Sequence, residues 1–154
     1  KLISPNSDIH NELRRRSILR TKNVTGEIGE YLVVKFYNKT RGLSNLFLPG
    51  PGVKNIDVIS RKGDRYSIKT ITSRNGTTGS FWNPESIKKN NKTFEFLIIC
   101  VLDGDYSLDL ILELSWDDFF KFKRFNSRMN NFQIGLTKKL ISSVKVIYDK
   151  KVVS

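Results

Sequence analysis

Residues 53–73 read VKNIDVISRKGDRYSIKTITS, and this stretch decides the fold that the sequence predicts. Two runs rich in β-branched residues, Val53 to Ser60 and Tyr66 to Ser73, flank a polar segment that contains Gly63. Runs of this length on either side of a short polar segment are typical of a β-hairpin. The sequence therefore predicts two antiparallel strands joined by a tight turn at residues 61–65.

The position of the turn predicts which side chains share a face of the hairpin. A turn centred on Gly63 places Asp57 directly opposite Lys69, with Cβ atoms about 5 Å apart. It also places Ile59 opposite Ser67 on the same face, because alternate residues of a strand point to the same side. The other face points to the core and carries Ile56, Val58, Ile68 and Thr70. An acid and an amine so placed form either an ordinary cross-strand ion pair or part of a catalytic site.

Patterns on both sides of the hairpin predict one mixed α/β (α+β) domain over residues 1–154, with a single central sheet. One helix is expected over 6–20 and a second from Thr25 to about Asn38, and Ser115 is expected to cap a third over Trp116 to Phe125. The remaining expected elements are a loop or short edge strand over Gly42 to Gly52, a short helix over Glu85 to Asn90, and strands over Phe94 to Leu102, Leu108 to Leu114 and Val144 to Tyr148.

The charge of the chain favours a polyanionic partner. Its 154 residues include 27 Lys and Arg against 15 Asp and Glu, a formal net charge of +12. Nine basic residues and one acid lie in the segment 121–154. A domain this basic most often binds nucleic acid, because each neutralised phosphate releases a condensed counterion. The simpler interpretation is a surface that only keeps the protein soluble.

The scarcity of cysteine and histidine excludes several classes of site. Cys100 is the one cysteine and His10 the one histidine, which excludes a disulfide scaffold, a cysteine zinc cluster and a histidine-rich metal site. The longest apolar run, Phe96 to Leu102, is too short to span a bilayer. With no apolar leader at the start of the sequence, we expect a cytoplasmic protein without a membrane partner.

Two further carboxylates are predicted to lie on one helix face. Glu27 and Glu30 are three residues apart in the helix that begins near Thr25. Mg²⁺ takes oxygen ligands and needs only one or two carboxylates when a substrate phosphate and water complete its shell. Together with Asp57 and Lys69, such a helix carboxylate would supply what phosphodiester hydrolysis requires: a metal, an activated water and a cation near the developing charge.

The ordered set Gly26-x-x-x-Glu30, then Asp57, then Ser67-Ile68-Lys69 resembles the PD-(D/E)XK nuclease superfamily, which has the restriction-endonuclease-like fold. The resemblance covers about residues 24–115 and includes the order of helix, hairpin, helix and strand. It implies a central mixed sheet flanked by helices and Mg²⁺-dependent cleavage of double-stranded DNA, with Mn²⁺ as a substitute.

The same resemblance implies roles for individual residues. Asp57 would be a metal ligand, Lys69 the catalytic lysine, and Glu30 or Glu27 the helix carboxylate that also binds the metal. The sequence departs from the family pattern at Ser67, which stands at the second acidic position and is a poor Mg²⁺ ligand. The metal would then depend on Glu30, Glu27 or a backbone carbonyl, and the predicted catalytic set is Asp57, Lys69, Glu30 and Ser67.

The segment after the hairpin supplies the predicted DNA contacts. Arg74 and Asn75 have the donors that suit guanine and adenine edges, and Trp82 could stack on a base. Lys88 and Lys89 complete the predicted nucleic-acid-binding set as cations beside this segment. The simpler interpretation is that Arg74 and Asn75 stabilise a turn and that the aromatic residues fill an edge of the core.

These features lead to three functional hypotheses. The first is a type II restriction endonuclease of a restriction–modification system, acting as a homodimer so that two sites cut both strands of a palindrome. The second is a catalytically impaired nuclease-fold module that binds DNA, which Ser67 favours. The third is an RNA-binding protein associated with the ribosome, for which the charge is the only support.

Overall fold

The computed structural model describes residues 24–50 and 56–153, and the expected helix over 6–20 lies outside these ranges. Within them the fold is mixed α/β, as predicted, with one six-stranded mixed sheet flanked by helices. The strands of this sheet are β1 (Leu46–Phe47), β2 (Val58–Ser60), β3 (Arg65–Ile71), β4 (Phe96–Leu102), β5 (Leu108–Ser115) and β8 (Lys145–Asp149). A separate hairpin consists of β6 (Arg124–Asn126) and β7 (Asn131–Gln133).

The six strands lie in the spatial order β1-β2-β3-β4-β5-β8. Only β3 and β4 are parallel, and every other neighbouring pair is antiparallel. The helices are α1 (Val24–Lys39), α2 (Pro84–Lys88), α3 (Trp116–Phe122), α4 (Lys138–Ser143) and α5 (Lys150–Val153). The crossover from β3 to β4 contains α2, which is the connection that a parallel pair requires. The chain therefore passes from β3 across one sheet face before it returns along β4.

The hairpin of β2 and β3 forms, but its register differs from the predicted one. Val58 pairs with Tyr66 and Ile59 with Arg65, so that the next residue, Asp57, lies beside Ser67 rather than opposite Lys69. The cause is the turn, in which the N–H of Gly63 bonds the carbonyl of Ser60 at 2.9 Å and the N–H of Ser60 bonds the carbonyl of Asp64 at 3.0 Å.

Gly63 is therefore the last residue of a three-residue turn, residues 61–63, and not the central residue of a longer one. Gly63 has φ of +87°, the left-handed conformation that glycine adopts without a steric cost. Asp57 faces a residue two positions away from the predicted one, and a shift of two residues leaves every side chain on its predicted face. The predicted face is correct and the predicted partner of Asp57 is wrong.

Helix α1 covers one face of the sheet. Its buried residues Ile28, Val33 and Tyr37 belong to a core cluster that includes Tyr66 and Ile68 of β3. The backbone comes closest at Gly29, where an added Cβ would lie 2.0 Å from the Thr70 hydroxyl oxygen. This close approach fixes the helix against the strand that carries Lys69.

The opposite face of the sheet is covered by the segment after β3, the short helices and the β6–β7 hairpin. Five aromatic side chains belong to this second core cluster, and the Phe81 ring lies 4.7 Å from that of Phe119 between ring centroids. Phe94 packs edge-on against Trp116 with ring centroids 5.0 Å apart. Aromatic side chains therefore cover part of the sheet face that carries Ser67 and Lys69.

Ser115 caps α3, as the sequence predicts. Its hydroxyl accepts a bond from the Asp118 N–H at 3.1 Å, and the Asp118 carboxylate accepts one from the Ser115 N–H at 3.2 Å. The reciprocal pair is a capping box, which satisfies two of the unpaired donors at the start of a helix. The helix ends at Phe122 rather than Phe125 because Lys123 is extended and leads into β6.

Strand β4 is the centre of the protein. All of its residues from Leu97 to Leu102 are buried, since neighbouring strands lie on both sides and helices or loops cover both faces. Cys100 lies in this strand with no exposed surface, and burial raises the pKa of its thiol to about 12. Of the helices in the described residues, none is long and apolar enough to cross a membrane.

Candidate active site

The structure brings Asp57, Ser67 and Lys69 together on one face of the β2–β3 hairpin. Ser67 and Lys69 are alternate residues of β3, and Asp57 immediately precedes β2. One carboxylate oxygen of Asp57, Oδ2, accepts a hydrogen bond from the backbone N–H of Ile68 at 2.7 Å. The carboxylate is thereby fixed against β3, between the two side chains that the sequence predicts as its partners.

Burial is the main influence on the Asp57 carboxyl. It raises the pKa of Asp57 above the ordinary value of 3.8. The Ile68 N–H, the charge of Lys69 and the Ser67 side chain act in the opposite direction, in that order of size, and do not cancel the effect of burial. A carboxylate whose negative charge is poorly compensated by the protein is a favourable place for a cation.

The Lys69 ammonium is held by the segment that covers it. Its Nζ donates to the backbone carbonyl of Ser80 at 2.8 Å and lies 4.8 Å from the centroid of the Phe81 ring. Burial lowers the pKa of Lys69 below its usual 10.5, and the charge of Asp57 counteracts this. Among the described residues no direct ion pair joins Lys69 to Asp57.

The segment that holds Lys69 is itself fixed to the start and end of β7. Thr78 donates its N–H to the carbonyl of Ile134 at 2.8 Å, and its hydroxyl accepts from the Ile134 N–H at 3.0 Å. Phe81 donates its N–H to the carbonyl of Phe132 at 3.0 Å. The position of the lysine thus depends on residues more than sixty positions later in the chain.

A shallow cleft opens beside this cluster. It encloses about 270 Å³ of empty space, part of which is open to solvent. Its lining consists of Ser67, Lys69, Phe81, Trp82, Thr93 and Phe94. The side chains of Lys69 and Ser67 therefore border the same small opening as Trp82.

The predicted helix carboxylates lie on the helix that packs against β3. Glu27 and Glu30 belong to α1, on either side of the buried pair Ile28 and Gly29. Gly29 contacts Thr70, whose side chain points to the opposite face of β3 from Lys69. The predicted role of Glu30 or Glu27 as a metal ligand stays a prediction.

The donor set suits Mg²⁺ at the lower limit of what that ion requires. In residues 24–50 and 56–153, no three His, Cys, Asp or Glu side chains are grouped so that they could hold a metal ion. Asp57 offers one buried carboxylate and Ser67 a weak hydroxyl donor. One or two carboxylates suffice for Mg²⁺ when phosphate oxygens and waters complete the octahedron, so the site fits the ion as part of a substrate complex.

Arg74 has a structural role that the sequence did not indicate. Its guanidinium bonds Asp109 through Nε at 3.0 Å and Nη2 at 2.9 Å, and Nη2 also lies 2.7 Å from Asp149. These bonds join the segment after β3 to β5 and β8. Because both of its carboxylate partners belong to the sheet, Arg74 is not available to contact guanine as predicted.

The other predicted DNA contacts lie on the surface. Asn75 and Lys89 are exposed. Lys88 forms an ion pair with Glu85 at 3.4 Å and lies 5.0 Å from the Phe125 ring centroid. Trp82 is 69% exposed at the mouth of the cleft.

Sequence reasoning missed the residues that position Lys69. The Ser80 carbonyl is a backbone group. Because every residue has one, the sequence does not indicate which carbonyl accepts a hydrogen bond from the lysine. Thr78 is buried and its hydroxyl completes a bridge to Ile134, but the local sequence is polar and glycine-bearing, which is typical of a loop. Both roles depend on contacts distant in sequence.

Comparison with known proteins adds no assignment. No protein-family model matches the chain, and no curated protein matches its sequence.

Proposed function

We propose that the protein is a Mg²⁺-dependent DNA endonuclease, with Asp57 and Lys69 as its catalytic pair. The observation that carries the proposal is that these two residues share one face of two adjacent strands, where burial works against the charge of both. Perturbed acid and base groups beside a cleft are typical of a catalytic site. The net charge of +12 supports a polyanionic substrate.

Asp57 would hold the metal, with Glu30 of α1 as the predicted second carboxylate and Ser67 as a hydrogen-bonding neighbour. When bound, Mg²⁺ supplies charge stabilisation at the phosphate and lowers the pKa of a coordinated water. The bond from the Ile68 N–H to Oδ2 fixes the carboxylate so that it need not reorient when a substrate arrives.

Lys69 acts on the proton of the attacking water. Its lowered pKa makes the neutral amine more accessible than in an ordinary lysine, and the Ser80 carbonyl directs the amine at 2.8 Å. The neutral Nζ takes a proton from water, the water oxygen forms a bond to phosphorus, and the phosphorus–oxygen bond to the leaving strand breaks. The leaving oxygen takes a proton from solvent water, and the Lys69 ammonium, which keeps the proton of the attacking water, stabilises the charge of the phosphate product.

The test is cleavage of supercoiled plasmid DNA with Mg²⁺, with Mn²⁺ and with EDTA. We expect metal-dependent nicking that falls by at least about 100-fold in Asp57→Ala and in Lys69→Ala. Asp64→Ala and Lys62→Ala remove the same residue types from the turn of the same hairpin and should leave the rate unchanged. Absence of cleavage in the wild-type protein with either metal would overturn the proposal.

A second function is favoured by one observation. Ser67 stands where the nuclease pattern has an acid, and the Asp57 oxygen nearest β3 already accepts a hydrogen bond. A protein with these features could keep the fold and bind DNA without cutting it. Electrophoretic mobility shifts that persist in Asp57→Ala, combined with no nicking by the wild-type protein, would support this function.

A further inference from the structure

Trp82 is an aromatic side chain that the fold exposes instead of burying. Its indole is 69% exposed, whereas Trp116, the other tryptophan of the chain, is 3% exposed and bonds Asn90 through its ring nitrogen at 2.7 Å. Large aromatic side chains usually contribute their area to a core. The exposed tryptophan lies on the rim of the cleft that contains Lys69 and Ser67.

The backbone on both sides of Trp82 is fixed. Phe81 is 3% exposed, bonded to Phe132 through its N–H and packed against the Phe119 ring. On the other side, Asn83 adopts the left-handed conformation, with φ of 60°, and Pro84 begins α2. Asn is one of the few non-glycine residues that adopt this conformation readily, and the proline ring fixes φ of the next residue. The backbone that carries the indole is therefore defined on both sides.

Lysines lie in the same cleft as Trp82 and on the helix that follows it. Lys69 shares the lining of the cleft with Trp82. In α2, Lys88 pairs with Glu85 and lies 5.0 Å from the ring centroid of Phe125, which is 46% exposed, and Lys89 after it is exposed. An exposed aromatic ring beside lysines is the arrangement that binds nucleic-acid strands, since the bases stack and the lysines contact phosphates.

We propose that Trp82 stacks on an unpaired nucleobase next to a phosphate held at the cleft that Lys69 and Ser67 line, so that the substrate is DNA with an unpaired nucleotide at the cleavage position. The proposal rests on the proposed function, because it locates the base relative to that cleft. A paired base has both faces covered by its neighbours, and only a single strand or an extruded nucleotide offers a free face to the indole. Because a second copy of a chain with a charge of +12 would be repelled, it is a poor occupant of this surface.

The test uses tryptophan fluorescence in EDTA, where no cleavage occurs. The probes are an oligothymidylate, an abasic strand of equal length and charge, a blunt duplex, and the same duplex with one extruded thymidine. We expect quenching by the oligothymidylate and by the duplex with the extruded base, and little by the other two. The emission of buried Trp116 supplies an internal reference, and Trp82→Leu should abolish the quenching.

The same variant gives the energetic test. Stacking of one base corresponds to a loss of about 5- to 100-fold in affinity for the oligothymidylate in Trp82→Leu. Phe47→Leu removes another exposed ring, at 44%, from the edge strand β1 and should leave the affinity unchanged. Trp82→Phe should restore part of it.

Three results would overturn the inference: no binding of oligothymidylate, equal affinity of Trp82→Leu and wild type, or an emission change on raising the protein concentration alone, which would assign the surface to a second copy. The plasmid assay decides the nuclease function separately. Quenching without cleavage would refute the nuclease and keep Trp82 as a stacking residue. Cleavage without quenching would support the nuclease and refute Trp82 as a stacking residue.

Discussion

Asp57 and Lys69 show how a site can be assembled from groups that the fold does not fully stabilise. Each charge raises the stability of the other, yet for both residues burial is the larger effect and opposes the charged form. Because burial costs both side chains solvation, the attraction between Asp57 and Lys69 contributes little to the free energy of unfolding. In the proposed function, a cation near the carboxylate and a phosphate near the amine would stabilise the two charges.

A first prediction concerns Asp57→Asn. The amide keeps the acceptor for the Ile68 N–H and removes the buried charge, so we expect unfolding free energy at neutral pH to equal or exceed that of the wild type, with cleavage lost. The pKa of the folded-state carboxyl is raised, which means that the folded state binds the proton more tightly than the unfolded state.

Stability from this group is therefore fully present below the unfolded-state value of 3.8 and is lost as the pH rises through the folded-state pKa. The advantage of Asp57→Asn over the wild type should grow as the pH rises from about 4 and then level off. Urea denaturation at a series of pH values measures it, with Asp64→Asn as the control. An advantage that shrinks with rising pH would contradict the assignment.

A second prediction concerns Ser67→Glu. A second carboxylate beside Asp57 would repel it and raise the shared pKa in the absence of metal. We expect a melting temperature below that of the wild type in EDTA, and a rise with Mg²⁺ concentration, since a ligand that binds only the folded state stabilises it by mass action. The wild type should respond less, and nicking should increase.

Ser67→Gln serves as the matched control, because it has the same size without the charge. Its melting temperature should respond to Mg²⁺ about as weakly as that of the wild type, because Asp57 remains the one carboxylate of the site. Differential scanning fluorimetry over a Mg²⁺ series is sufficient, and an equal response of the Glu and Gln variants would mean that the metal binds elsewhere.

The sequence was sufficient to predict that Asp57 and Lys69 lie on one face of the hairpin. It was not sufficient to predict which residue lies directly opposite Asp57. Alternation along a strand puts Asp57, Ser67 and Lys69 on one face in any register shifted by an even number of residues. The choice between Ser67 and Lys69 as the partner of Asp57 depends on whether Gly63 occupies the centre or the end of the turn. Nothing in the composition of residues 61–65 decides that.

The elements around the site owe their arrangement to contacts distant in sequence. The segment 72–82 has little regular structure, yet its carbonyl at Ser80 accepts a hydrogen bond from Lys69. Thr78 is 1% exposed and anchors this segment to Ile134 through two hydrogen bonds. A loop fixed in this way can position a side chain as firmly as a strand.

A third prediction tests that anchor. Thr78→Val keeps the shape but leaves the Ile134 N–H buried without a partner, which costs about 1–3 kcal/mol of unfolding free energy. We expect a melting temperature lower by several degrees and a slower nuclease reaction. Thr78→Ser, which keeps the hydroxyl, should recover most of the rate.

Thr77→Val is the control, because Thr77 is exposed and adjacent. It should change the unfolding free energy by less than about 0.5 kcal/mol. Equal losses in the two valine variants would show that the hydroxyl of Thr78 has no special part in holding the segment.

Long periodic elements were the most predictable. Helix α1 and strands β4 and β5 appear within two residues of their expected bounds, because their apolar periodicity is set by burial against a sheet. The hairpin of β6 and β7 and the helices α4 and α5 were missed. Their segments are short, and β7 owes its position to pairing between Phe132 and Phe81, a contact distant in sequence.

At the scale of the whole molecule, the excess of positive charge should determine how DNA binding responds to salt. Each phosphate neutralised by a side chain adds about 0.9 to the slope of log affinity against log salt. A fourth prediction is that Lys88→Ala reduces this slope by about 1, because Lys88 is exposed on α2, the helix that follows Trp82 in the chain.

Arg74→Met removes the same charge but should leave the slope nearly unchanged. Its guanidinium is committed to Asp109 and Asp149, and the loss should appear as lower stability instead. Fluorescence anisotropy from 50 to 300 mM salt, combined with thermal unfolding, separates the two effects. Equal slopes for both variants would contradict the distinction between a surface lysine and a structural arginine.

The buried position of Cys100 in β4 has a practical consequence. Its thiol has no exposed surface and, with a pKa near 12, is almost never ionised at neutral pH. Maleimide dyes and spin labels would therefore leave it intact. A cysteine engineered elsewhere, for example in the rim around the cleft, becomes the sole attachment point in the native protein, and distance measurements need no cysteine-free background.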